Sequence, residues 1–206
     1  GRRSAWSSVD RTATVRFIVA LALMNSCTLF AYWGFNTWVP TYLTTPTAAG
    51  GIGLERSVMT ALVVANQIGT WLGYVTFGYV ADAIGRRRAY VAYLLAAAAL
   101  VFAYTKVRDA WALALLGPVA SFFATGHFSG FGLVTAELFP TQLRATAQGL
   151  TYNFGRIVSA YAPRFVGAAA QTHGYSAALS ITSAGFVAAA LCWLAIPETR
   201  GRGVDG

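Results

Sequence analysis

Arg156 carries the strongest chemical signal in the chain, because it interrupts an apolar run, roughly Thr146 to Ala170, in which a charge is costly to bury. If a helix begins near Ala145, the guanidinium lies about 16 Å along its axis, close to the middle of a hydrocarbon layer about 30 Å thick. Gly149, Tyr152, Asn153 and Ser159 fall on or near the same helical face, whereas Leu150, Phe154, Ile157 and Val158 fill much of the rest. A guanidinium facing a wet cavity at that depth can receive a carboxylate through two parallel hydrogen bonds. Its competing use is a salt bridge to a carboxylate supplied from outside this chain.

Other polar side chains sit at comparable depth. Asn66, Thr70 and Gly73 recur at helical spacing with Gln67 beside them, and Gly69 with Gly73 forms a small-xxx-small contact. Buried amides need partners, so Asn66 and Gln67 meet either a substrate or another helix. Asn36 closes the stretch Tyr32-Trp33-Gly34-Phe35-Asn36, a polar, glycine-interrupted helix end that reads as facing a cavity. Trp33 and Trp38 also suit an aromatic belt at the membrane surface. His127 lies among glycines (Gly126, Gly130, Gly132) and either binds substrate, carries a proton, or packs as a neutral side chain.

An enzymatic reading is weak. Ser129 stands near His127, yet a six-helix intramembrane protease needs its histidine on a later span, and the last span has none. Cys27 and Cys192 both fall in apolar runs and read as packing residues rather than as a disulfide or metal-ligand pair. No cofactor, no metal and no catalytic residue is expected.

The elements that must position these groups are set by composition. Of 206 residues, 56% are hydrophobic and only 11% charged, which marks a membrane protein. The net charge of +8 comes from basic residues clustered between apolar spans, without aromatic or glycine-rich context for RNA, so anionic lipid rather than nucleic acid accounts for it. Six spans follow: about Phe17 to Val39, Val58 to Val80, Tyr90 to Thr105, Trp111 to Leu138, Thr146 to Ala170 and Tyr175 to Ile196. Residues 1–16 read as a linker, 17–196 as a six-helix bundle and 197–206 as a tail. The lead segment lacks the apolar core and cleavage site of a signal peptide, and the chain reads as a piece of a longer protein.

Arg2, Arg3, Arg11, Arg16, Arg86, Arg87, Arg88, Arg144, Arg200 and Arg202 lie on one side of these spans; Arg56, Lys106, Arg108 and Arg164 lie on the other. The positive-inside rule makes the first side cytoplasmic, with both termini on it. All seven acidic residues fall at or beyond helix ends, which predicts no buried carboxylate.

Three signatures give these spans a family. Gly78-Tyr-Val-Ala-Asp82-Ala-Ile-Gly85-Arg86-Arg87 resembles the G-x-x-x-D-x-x-G-R-R loop between the second and third helices of each half of a major facilitator superfamily transporter. There Gly78 is expected to admit a close helix neighbour and Gly85 a tight turn. Glu137-Leu-Phe-Pro140-Thr141-Gln-Leu-Arg144, followed by Gly149, resembles the E-x-x-P-T-x-x-R connection of sugar-porter-like and organic-anion members, and Pro197-Glu198-Thr199-Arg200-Gly201-Arg202 resembles their P-E-T-[KR]-G-R tail.

The resemblance implies an all-α membrane fold: six transmembrane helices as a 3+3 inverted repeat, the C-terminal half of a twelve-helix carrier. It implies a partner N-terminal half, a small-molecule substrate held near the midplane, possible proton coupling, and a multi-pass location in a bacterial inner membrane. It implies that the first span is the often broken seventh helix of the whole protein. Asp82, Arg86, Arg87, Glu137, Arg144 and Glu198 are expected to form a surface ion-pair latch, each pair weak alone. The Q-Q-x-x-G-x-N pattern of hexose porters is absent from the first span. With Arg156, that favours an organic anion carried with protons; a sugar or polyol is the alternative.

Overall fold

The computed structural model describes residues 11–200, all in helices and short connections. Arg2, Arg3, Gly201 and Arg202 lie outside the described residues. The first helix, α1 (Arg11–Thr44), already includes residues 11–16 of the expected linker and continues through Pro40 without a break. Proline so near a helix end removes little, because the following turn still closes: the Thr45 N–H donates to the Thr41 carbonyl at 2.8 Å.

α2 (Arg56–Ile84) and α3 (Arg86–Tyr104) meet at Gly85, whose φ of +98° an L side chain would rarely adopt. α4 (Ala110–Gly126) starts on an Asp109 cap, whose Oδ2 accepts the Ala112 N–H at 2.8 Å. A tighter 3₁₀ turn over His127–Gly130 joins α4 to α5 (Phe131–Leu138), so the glycine-rich stretch interrupts the fourth span, whereas α4 runs on through Pro118.

The fifth span is also divided. α6 (Thr141–Ser159) stops and α7 (Ala162–His173) restarts with Pro163 in its first turn, where the missing N–H costs least. α8 (Tyr175–Cys192) ends in a 3₁₀ turn, Trp193–Ala195. Among the described residues five stretches are long and apolar enough to cross a bilayer, α4 to α5 counting as one; the polar, interrupted α6–α7 pair forms the sixth rod.

Packing reveals a pseudo-two-fold exchange. α2 packs on α4 as α1 packs on α6, α1 packs on α8 as α3 packs on α4, and α3 pairs with α8 across the axis. Exchanging the first three rods with the last three maps the two members of each of the first two contact pairs onto each other and the α3–α8 contact onto itself, as an inverted 3+3 repeat requires.

Small residues permit the close pairs. A Cβ on Gly69 would lie 2.0 Å from the Pro118 carbonyl oxygen, and one on Gly73 would lie 2.4 Å from that of Phe122. Gly78 differs from expectation, since no described atom lies within 4 Å of where its Cβ would stand. Trp38 is a strut between helices rather than a free belt residue: its Nε1 donates to the Pro163 carbonyl at 2.7 Å and its ring fills the space beside Gly167. Cys27 and Cys192 are both half-buried and form no disulfide.

Candidate functional site

The register of α6 builds an aromatic-lined cavity. Ala147, Thr151, Gly155 and Ser159 are buried, and Gly155 lies so near Asn25 that a Cβ would come within 2.9 Å of its backbone. This stripe seats α6 on α1 and turns the adjacent row, Ala145, Gln148, Gly149 and Tyr152, into an open groove. The groove measures about 750 Å³. α1 adds Leu29, Tyr32 and Trp33, α2 adds Tyr74, and the α4–α5 junction adds Phe128, Phe131 and Gly132. Tyr32 meets Phe128 edge-on at 5.7 Å between centroids, and Phe131 lies 6.1 Å from Tyr152.

Six aromatic rings with three phenolic hydroxyls and one amide make a surface suited to flat, partly polar molecules. Arg156 continues the Tyr152 row one turn further along α6 but does not line the groove; its side chain is exposed and pairs with no carboxylate among the described residues. Asn153 is exposed and donates to the Gly149 carbonyl at 2.8 Å, satisfying its own helix. Ser159, also on α6, donates to the Arg156 carbonyl at 3.0 Å and is buried against α1.

Asn36 and Asn66 meet elsewhere, in a space of about 20 Å³ shared with Thr70, Ser121 and Thr125. That is room for about one water. Asn66 Oδ1 is buried beside Gly117 without a hydrogen-bond partner, and the space opens next to Tyr32, which also borders the groove. Gln67 is exposed and lines neither cavity.

His127 is only 1% exposed, with Nδ1 3.3 Å from the Phe123 carbonyl and Nε2 unpartnered, so neither substrate nor water in the groove reaches it. Its neighbour Phe128 takes the groove position instead. Ser129 donates to the Gly126 carbonyl at 2.9 Å and makes no pair with His127. Tyr74, Phe131 and Gln148 were not singled out from the sequence. Gln148, a polar residue on the Tyr152 face, was the one that helical spacing could have found.

The signature residues converge at the basic end of the bundle, and they form something other than a weak surface latch. Arg86 donates to Asp82 one turn earlier and to Glu137 at 3.1 Å, with the Arg86 and Glu137 side chains only 9% and 4% exposed. Glu137 corrects the expectation that no carboxylate is buried: it lies in the last turn of α5, but Arg86 at the start of α3 and Thr199 close over it.

Glu198 caps α3 from 112 residues away in sequence, accepting the Arg86 N–H at 2.8 Å and the Arg87 N–H at 3.2 Å, and it also takes the N–H groups of Thr199 and Arg200. Partial burial raises the Glu198 pKa, but these four donors outweigh it and hold the carboxyl below its ordinary value. Arg144 bonds the Ala136 and Phe139 carbonyls at 2.9 and 3.1 Å, clasping the end of α5, and Arg200 bonds the Ala83 carbonyl at 2.9 Å. Only the backbone of Arg87 joins the cluster.

A six-rod membrane bundle with pseudo-two-fold packing and an open aromatic groove on one flank is half of a solute-carrier fold. The chain belongs to the Major Facilitator Superfamily, whose family model matches residues 21–206. It is 30% identical to a protein of Haemophilus influenzae named for metabolite transport, over 98% of this chain and 49% of that one. It is 27% identical to a protein of Bacillus subtilis named for niacin/nicotinamide transport over 94% of this chain and 48% of that one, and 32% identical to a cis,cis-muconate transport protein of Acinetobacter baylyi over 67% and 32%.

The chain thus spans about half the length of the first two of these relatives. A peptide transporter crystallised with sulfate shares the fold with a TM-score of 0.72 at 15% identity, covering 87% of this chain and 37% of that one. The relatives are carriers rather than enzymes, which removes the protease alternative.

Proposed function

We propose that this chain is the C-terminal half of a secondary carrier that moves small organic anions, with protons, by alternating access. The observation that carries the reading is the aromatic groove with Arg156 one turn beyond Tyr152 on the same helix row. A planar acid would lie between the rings while the guanidinium takes its carboxylate. An exposed arginine deep in a span is tolerable only beside water or a partner surface, so the N-terminal half would close the groove and make Arg156 part of a central cavity. Relatives named for niacin/nicotinamide and for cis,cis-muconate support small, flat substrates, and niacin and muconate among them are acids.

The basic end would be cytoplasmic, with both termini on it. The network of Arg86, Asp82, Glu137 and Glu198 ties the α2–α3 turn, the end of α5 and the tail segment into one body. A body held so firmly would rock as a unit against the other half, and the exposed Asp82 is free to exchange partners as the two states alternate. With His127 sealed in the core, the proton would be carried by the N-terminal half.

Uptake by the intact transporter, measured with labelled nicotinate, muconate, nicotinamide and glucose, tests the reading. Acids should be taken up and glucose should not. Arg156→Lys should raise the KM for the acids far more than for nicotinamide, which lacks the charge. Unchanged affinity for both acids in that variant would overturn the clamp.

A further inference from the structure

We infer that the outer flank where the start of α3 meets the 3₁₀ turn after α8 holds a specific site for one anionic phospholipid. A cavity of about 760 Å³ runs along this flank, with Arg87, Arg88 and Arg200 at its basic end and Ile84, Val91 and Leu194 along its wall. A second cavity of about 190 Å³ adjoins it through Arg87 and Leu194 and brings in Arg16 of α1. Charged rim and greasy wall therefore meet at the level where a phosphodiester gives way to acyl chains.

Three features separate this from a general basic surface. The guanidinium groups of Arg16, Arg87 and Arg88 have no hydrogen-bond or ion-pair partner among the described residues, so their donors are available to an anion. The one carboxylate in the lining, Glu198, keeps its charge, but four backbone N–H groups occupy its oxygens and it pairs with none of these guanidinium groups, so the lining with Arg16, Arg87, Arg88 and Arg200 stays net positive. Leu194 is 64% exposed beside that charge, an arrangement water disfavours and an acyl chain satisfies. No groove residue comes from α3 or α8, so the flank lies apart from the transport surface and stays open to lipid when the other half docks there.

A lipid here would bridge α1, the α2–α3 turn and the end of α8, and would stabilise the same body that the Arg86 network holds. Free inorganic phosphate offers the same headgroup chemistry without the chains. The wall argues for the lipid.

The test uses the intact transporter purified in detergent and stripped of lipid, with binding read by native mass spectrometry and by the thermal midpoint. Phosphatidylglycerol should be retained and raise the midpoint saturably; phosphatidylcholine and inorganic phosphate at the same concentrations should do neither. Arg16→Gln/Arg87→Gln/Arg88→Gln together should weaken retention about a hundredfold. Arg164→Gln, an exposed arginine at the opposite end of the bundle, should retain the lipid fully. If the triple variant does not fold, Arg88→Gln alone should still weaken retention about fivefold. Undiminished retention in the arginine variants, or equal binding of phosphatidylcholine or phosphate, overturns the site.

Discussion

Arg86 and Glu137, 51 residues apart, form an ion pair with 3.1 Å between Nη2 and Oε1 and with both side chains almost excluded from solvent. The pair welds the start of α3 to the end of α5. Removing one member of such a pair leaves an uncompensated charge in a poor solvent for it, whereas removing an exposed partner costs little.

The first prediction ranks these carboxylates. Glu137→Ala should destabilise the protein by about 3 kcal/mol. Asp82→Asn, whose side chain is 67% exposed, should cost less than about 1 kcal/mol. Thermal unfolding in detergent measures both. In vesicles Asp82→Asn should slow turnover while leaving substrate binding intact, and normal turnover would exclude a role in alternation.

Glycines supply a second prediction, because three lie on α2 in different surroundings. Gly69→Ala or Gly73→Ala would drive a methyl against a backbone carbonyl of α4 and should cost about 1–3 kcal/mol or more. Gly78→Ala meets nothing described and should gain about 0.5–1 kcal/mol from helix propensity. A loss at Gly78 in the intact transporter would show that a helix beyond the described residues packs there.

Acid should act on Glu198. Its carboxyl is held below the ordinary value, so its contribution is complete above the unfolded carboxylate pKa and is lost as pH falls through the lower folded value. Glu198→Gln should lower the thermal midpoint at neutral pH and make its decline in acid shallower than in the unaltered protein. Parallel acid limbs for the two proteins would mean that the cap contributes nothing.

For His127 the expected outcome is a null effect on proton coupling. Its ring is enclosed by Tyr90 and Phe128 and reaches no cavity, so His127→Leu should leave the pH profile of uptake per folded transporter unchanged. A displaced profile would mean that the side chain swings into the groove during transport.

Tyr32 and Tyr152 should matter through their rings. Tyr152→Phe should retain most affinity for an aromatic acid, and Tyr152→Ala should weaken it by about tenfold, as expected for the loss of a stacked aromatic contact and its buried area. Equal uptake kinetics in all three proteins would place the substrate elsewhere.

The six rods, the tight turn at Gly85, the close approach of Gly69 and Gly73 and the family itself follow from local information, since hydropathy, glycine spacing and loop signatures are properties of neighbouring residues. Tyr152 could be assigned a functional face for the same reason: helical periodicity is local. Which face points where is not local. His127 went into the core and Phe128 into the groove because successive helix positions face different sides, and the packing of α4 on α2 and α3 turns the His127 side inward.

Glu137 looked exposed at a helix end, but it is buried because Arg86, on another helix, and Thr199, near the tail, close over it. Glu198 likewise caps a helix that begins 112 residues earlier. Chain order carries the pattern of what prefers lipid. The depth and partners of each polar group depend on long-range packing, where burial makes a lone charge too costly to leave and so selects the pairings.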